Sequence, residues 1–133
     1  MPAIRQGRSI GGLTLTLTEL DAFCRDLPGC EVRYPFESAP DLRAWCVGQR
    51  MFAWSITTKT PLAVQVKANP DLVPMLIRNY ACVTPGYHMN KRHWITVDVA
   101  TCEAQMLQGL LEDAHALIVG KLPVSMRLSL LGN

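Results

Sequence analysis

Two extended runs, Arg43–Val47 and Arg50–Ile56, are separated by only Gly48-Gln49. A two-residue link leaves no length for a crossover, so the runs must pair as an antiparallel hairpin. Glycine at the first central position suits a type II′ turn, whose twist matches that of the flanking strands. In the second run Phe52, Trp54 and Ile56 share one face and Met51, Ala53 and Ser55 the other, so both faces of this hairpin are expected to be covered.

Period-two alternation recurs on either side of it. Val32, Tyr34 and Phe36 alternate with Glu31 and Arg33 before the turn residues Ser38-Ala39-Pro40-Asp41, and Leu62, Val64 and Val66 alternate with Ala63, Gln65 and Lys67. In the run from His93 onward, Ile95, Val97 and Val99 fall on the side of His93, which puts Trp94 with Thr96 and Asp98 on the more polar side. Helical spacing appears in three places. Leu20, Phe23, Cys24 and Leu27 form a stripe capped by Thr18 with Asp21 and stopped by Pro28-Gly29,. Asn69-Pro70-Asp71 opens a second helix with Leu72, Val73, Leu76, Ile77 and Tyr80 on its buried side, and Pro74 predicts an irregular first turn,. A long third helix runs from about Cys102, capped by Thr101, to Gly120, and Pro123 starts a short one over Val124–Leu130,. The order α-β-β-β-β-α-β-α predicts an α+β fold: a single-domain antiparallel sheet of about five strands flanked by helices. Residues 1–15 read as a flexible tail and 16–133 as the domain.

The chain has 133 residues, 49% of them hydrophobic, which is enough for one ordinary core,. No apolar run approaches the roughly 18–20 residues that span a bilayer, and the start lacks the apolar stretch of a signal peptide. The expectation is a cytoplasmic protein with no membrane contact. Cys24, Cys30, Cys46, Cys82 and Cys102 are odd in number and contain no Cys-x-x-Cys pair, so they read as core residues rather than as disulfides or a zinc ribbon.

Enzymatic chemistry is hard to assemble. The chain lacks Gly-x-Ser-x-Gly, a phosphate-cradling glycine loop and His-Glu-x-x-His,. Cys82, His88 and His93 match no standard metal spacing and have no acidic neighbour to orient a histidine,. The reading is therefore no catalysis, no metal and no cofactor. Charge is more informative: net +2 overall, but −4 over residues 13–41, +6 over 42–97 and −2 over 98–133. A basic middle attracts polyanions if its cations share a face.

The densest chemistry lies in Thr84-Pro85-Gly86-Tyr87-His88-Met89-Asn90-Lys91-Arg92-His93-Trp94. Pro85-Gly86 reads as a type II turn with glycine at positive φ, after which the run climbs into a strand. One reading makes it a nucleic-acid site. Lys91 and Arg92 would contact phosphate, Tyr87, His88, Asn90 and Trp94 would support them, and Arg50 and Lys67 would add cations from the hairpin and the next strand. In the other, Tyr87 and Trp94 fill a secondary core and the cations solvate a loop.

Pro28-Gly29, Tyr34-Pro35-Phe36, Val47-Gly48-Gln49-Arg50-Met51-Phe52 and above all the Thr84–Trp94 run resemble the MmcQ/YjbR-like family of small bacterial proteins. The resemblance covers roughly residues 17–131. It implies an antiparallel sheet related to a double-wing arrangement and a DNA-binding role. This chain departs from the family in carrying Arg50 where lysine is common, and the tail lies outside the match. Two further readings stay beside DNA binding: a protein-interaction module using the sheet or the apolar Leu122–Leu131 segment, possible self-association included, and a small-ligand site around His88 and His93.

Overall fold

The hairpin stands near the middle of the sheet in the computed structural model, which describes residues 13–131. The elements are α1 (Leu17–Asp26), β1 (Glu31–Arg33), β2 (Leu42–Val47), β3 (Arg50–Ile56), β4 (Ala63–Lys67), α2 (Val73–Asn79), β5 (Val83–Pro85), β6 (Trp94–Asp98), α3 (Ala104–Val119) and α4 (Val124–Leu131). All strand pairs are antiparallel, in the order β1-β2-β3-β4-β6-β5. The α+β class holds, with six strands rather than five. Of the expected tail, residues 1–12 lie outside the described residues, while Leu15 already packs on the core.

The extra strand is β5. Pro85 read as a turn former, but it occupies an edge strand opposite Ile95, where its missing N–H costs no ladder bond. The β2–β3 turn also differs in type: Gly48 has φ 57° and Gln49 φ 70°, and positive φ at both central positions makes it type I′. At α1 the cap is Thr16 rather than Thr18. Glu19 N–H donates to the Thr16 hydroxyl at 3.1 Å, and Thr16 N–H donates to the Glu19 carboxylate at 2.9 Å. Thr18 with Asp21 has the same spacing, but the longer glutamate reaches back over the turn. Thr16→Ala is expected to cost about 1 kcal/mol in urea unfolding.

Pro74 proves less awkward than its sequence position implies. Asn69 closes a tight turn ahead of the helix, accepting the Asp71 N–H at 2.9 Å through its side chain. The helix begins only at Val73, so Pro74 falls in the first turn, where no N–H is needed,. At α3 the observed start is Ala104, behind Glu103, and Thr101 is not its cap.

The two sheet faces are unequal. On one, α1 and α3 cover Trp45, Val47, Phe52, Val64, Val66, Ile95 and Val97. His115 of α3 packs edge-on against Phe52, and its Nε2 donates to the Pro28 carbonyl at 2.7 Å, tying α3 to the turn after α1. A second tie joins α1 to the sheet. The fully buried Trp45 donates its indole N–H to Asp21 at 2.9 Å, and the same carboxylate pairs with Arg25 at 2.7 Å and Arg43 at 3.4 Å. The opposite face carries a smaller cluster of Leu42, Ala44, Cys46, Trp54 and Trp94, and among the described residues no helix packs on it. All five cysteines are free, with Cys24, Cys46 and Cys102 fully buried.

Candidate functional site

The Gly86–Arg92 loop packs on the second face through Met89, beside Ala39 of the β1–β2 connection. Gly86 is buried against the start of β6, where a Cβ would stand 2.9 Å from both the Trp94 Cβ and the Trp94 carbonyl oxygen. Glycine is required there by close approach, not by φ: the left-handed residue of the loop is His88, at φ 56°. From Gly86 the chain folds back across the sheet. Tyr87 N–H donates to the buried Gln65 side-chain oxygen at 2.9 Å, and Met89 packs on the Trp54–Trp94 cluster. The Thr96 hydroxyl lies 2.9 Å from both the Gln65 oxygen and the Pro85 carbonyl; with one proton it donates to one at a time.

Several residues of the predicted binding set make contacts that build this loop or the sheet beneath it. The Lys91 ammonium donates to the Gly86 carbonyl at 2.9 Å, the Asn90 side chain accepts the Arg92 N–H at 2.8 Å, and Trp94 is buried under Lys67, whose ammonium sits 5.6 Å from the ring centroid. Tyr87 and His88 are exposed, with ring centroids 4.0 Å apart. Lys59, from the β3–β4 loop, places its ammonium 5.0 Å from the Tyr87 centroid. Below Tyr87 a small cavity of about 30 Å³ is lined by Trp54, Lys59 and Gln65 among others. The Trp54 indole N–H is buried without an acceptor among the described residues.

The free cations gather elsewhere, at the end of the sheet where β3 starts, β4 ends and β6 starts. Lys67 is held below the usual lysine range by burial, by contact with Lys121 and by the charge of Arg50. His93, half-buried beside them, is held down by burial and by the charges of Lys67, Arg92 and Lys121. No carboxylate figures among the groups acting on either side chain. The ion pairs of the described residues lie instead around α1, β1 and β2: Arg25 and Arg43 with Asp21, and Arg33 with Glu31.

The structure therefore joins Arg50, Lys67 and Arg92 of the predicted set and separates Tyr87 and His88 from them. It adds Lys121, which sequence reasoning missed. Lys121 lies 54 positions beyond Lys67 in an acidic segment, in the turn between α3 and α4, and no local pattern marks it. Cys82 lies in contact with Cys102 rather than with His88 or His93, and burial together with Cys82 pushes the Cys102 thiol up to about 12. Among the described residues no three of histidine, cysteine, aspartate and glutamate gather as a metal set. Nor is any described helix long and apolar enough to cross a membrane.

Comparison with known proteins gives a consistent picture. A family model described as YjbR matches residues 25–117. Uncharacterized protein YbdF of Escherichia coli O157:H7 is 30% identical over 95 residues, covering 71% of this chain and 76% of that protein. Uncharacterized protein YjbR of Escherichia coli K12 is 31% identical over 84 residues, 62% of this chain and 69% of that one. The crystal structure of Deinococcus radiodurans protein DR2400, with domain DUF419, superposes with a TM-score of 0.80 at 29% identity, covering 90% of this chain and 89% of that chain. A Pseudomonas syringae protein gives 0.69 at 23% identity over 78% of this chain and 99% of its own, a likeness of fold.

Proposed function

The chain belongs to the YjbR family, and with that as premise we propose that it is a non-catalytic DNA-binding protein whose phosphate contacts come from the cationic cluster at the sheet end. The observation that carries the reading is that Lys67 and Lys121 are in contact, with Arg50 acting on Lys67 and Arg92 on His93, while the ion pairs of the described residues engage none of them. Cations held so close raise one another's energy, and a phosphate backbone relieves that cost by replacing several small counterions at once. Lys91 takes a different part from the one its sequence position suggests: bonded to Gly86, it braces the loop that orients Arg92.

Duplex titration across a salt series tests the reading. Log affinity is expected to fall linearly with log salt, at about 0.9 per phosphate neutralised. Arg92→Gln and Lys121→Gln should each lower that slope by about one. Absence of binding at low salt, or a Lys67→Gln/Arg92→Gln/Lys121→Gln variant that binds as wild type does, would overturn it.

One observation favours a second reading. Val124, Met126 and Leu128 of α4 are exposed at 58%, 42% and 60%, an apolar surface suited to a protein partner. In that case self-association or partner capture should respond to Met126→Glu and ignore the cluster.

A further inference from the structure

The same end of the sheet opens into a groove that phosphate contacts do not explain. α2 rests against β5 and leaves a cavity of about 410 Å³ between itself and α3, lined by Lys67, Leu72, Leu76, Leu110, Asp113 and Leu117 among others. That volume lies within the range of small-molecule sites. The walls are aliphatic, from Leu72 and Leu76 on one side and Leu110 and Leu117 on the other, with no aromatic ring on which a base would stack,. Leu72, at the mouth, is 44% exposed.

Polarity is confined to one end and one wall. Lys67 stands at the sheet end of the groove, its ammonium over Trp94 and in contact with Lys121. Asn69 has its side-chain oxygen committed to the Asp71 N–H, and Asp113 on α3 is the carboxylate of the lining. An aliphatic slot with Lys67 at one end, and Lys121 in contact with Lys67 just beyond the lining, is complementary to a molecule that is apolar along its length and negative at its head,.

We propose that this groove binds a small anionic amphiphile, with an alkyl chain along Leu72, Leu76, Leu110 and Leu117 and a carboxylate or phosphate head on Lys67 and Lys121. The site does not rest on the DNA reading, although the two ligands share Lys67 and Lys121 and should compete. Binding neutralises charge that the fold has forced together. Asp113 repels an anion displaced toward α3, so it favours a head seated at the lysine end.

Calorimetric titration of the full chain with dodecanoate, dodecyl phosphate, octanoate and dodecylamine, each below its micelle threshold, tests this. One-to-one saturable binding of the anionic twelve-carbon ligands is expected, weakening roughly tenfold for every two carbons removed. Lys67→Gln should weaken binding about tenfold or more. Tighter binding of dodecanoate identifies a fatty acid and tighter binding of dodecyl phosphate a phosphorylated lipid, and either supports the site. Ala116→Trp fills the groove from an exposed helix position, and Leu72→Trp fills it from the mouth. Both should abolish amphiphile binding while leaving the salt slope on DNA unchanged, so each reading fails or stands alone. Absence of saturable binding, preference for dodecylamine, or indifference to both tryptophan variants overturns the proposal.

Discussion

Gly86→Ala is expected to lower stability by about 2–3 kcal/mol, the upper part of the range for overpacking, and to lower the melting temperature by about 10 °C. The added methyl would lie 2.9 Å from the Trp94 Cβ and carbonyl oxygen. Neither neighbour can rotate away, because Trp94 is paired with Lys67 across β4 and β6 and its ring is buried in the second cluster. The start of β6 or the loop must move instead. That movement carries the Gly86 carbonyl away from Lys91 and Met89 away from the tryptophans. Gly109 is the matching control: in the middle of α3, a Cβ there meets nothing within 4 Å. Gly109→Ala should stabilise by about 0.5–1 kcal/mol. Thermal unfolding of the two variants decides the point, and equal melting temperatures would show that the loop yields freely.

The second large effect is expected at Asp21. Asp21→Ala should cost about 3 kcal/mol, because it strands the indole N–H of Trp45, a residue with no exposed surface, and frees Arg25 and Arg43 at the same time,. Asp21→Asn keeps an acceptor for the indole and should cost less. Burial pushes the Asp21 carboxyl up, but hydrogen bonds from Arg25 and Trp45 and the charges of Arg25 and Arg43 outweigh it and hold the group below its ordinary value. A carboxylate depressed in the folded state stabilises fully above its unfolded pKa of about 3.9, and that contribution disappears as pH falls through the folded value. Wild type should therefore lose stability between about pH 5 and the acid limit, and Asp21→Asn should lose less over that interval. Urea midpoints at pH 7 and pH 3 provide the measurement; parallel losses in the two proteins would exclude Asp21 as the cause.

Asp21 also marks where sequence reasoning stops. A carboxylate three residues after a threonine at a helix start looks like a capping partner, and only the fold shows that it faces Trp45, 24 residues away. Local signals served well where the chemistry is local. The Gly48-Gln49 hairpin, the alternation of β4 and β6, the stop at Pro28-Gly29 and the short terminal helix were all legible, since each rests on backbone preference or a repeating apolar side. β5 was hidden because proline next to glycine reads as a turn unless the edge position is known. The cluster was half visible: Arg50, Lys67 and Arg92 belong to the basic middle of the chain, whereas Lys121 reaches it only through the packing of α3 across the sheet. In the Gly86–Arg92 loop, Lys91 and Asn90 carry binding chemistry that is equally suited to bracing a turn. In the fold Lys91 bonds the Gly86 carbonyl and Asn90 the Arg92 backbone.

The borders of the sheet decide how this protein can meet others. Both outer strands are three residues long. β1 presents Glu31 and Arg33, joined at 2.6 Å, and β5 ends in a proline that cannot donate. Short, charged or proline-bearing borders do not template a further strand. Such edges disfavour recognition by strand addition and growth into fibrils. That leaves side chains and grooves as the surfaces best built for recognition, where single substitutions can tell one ligand from another.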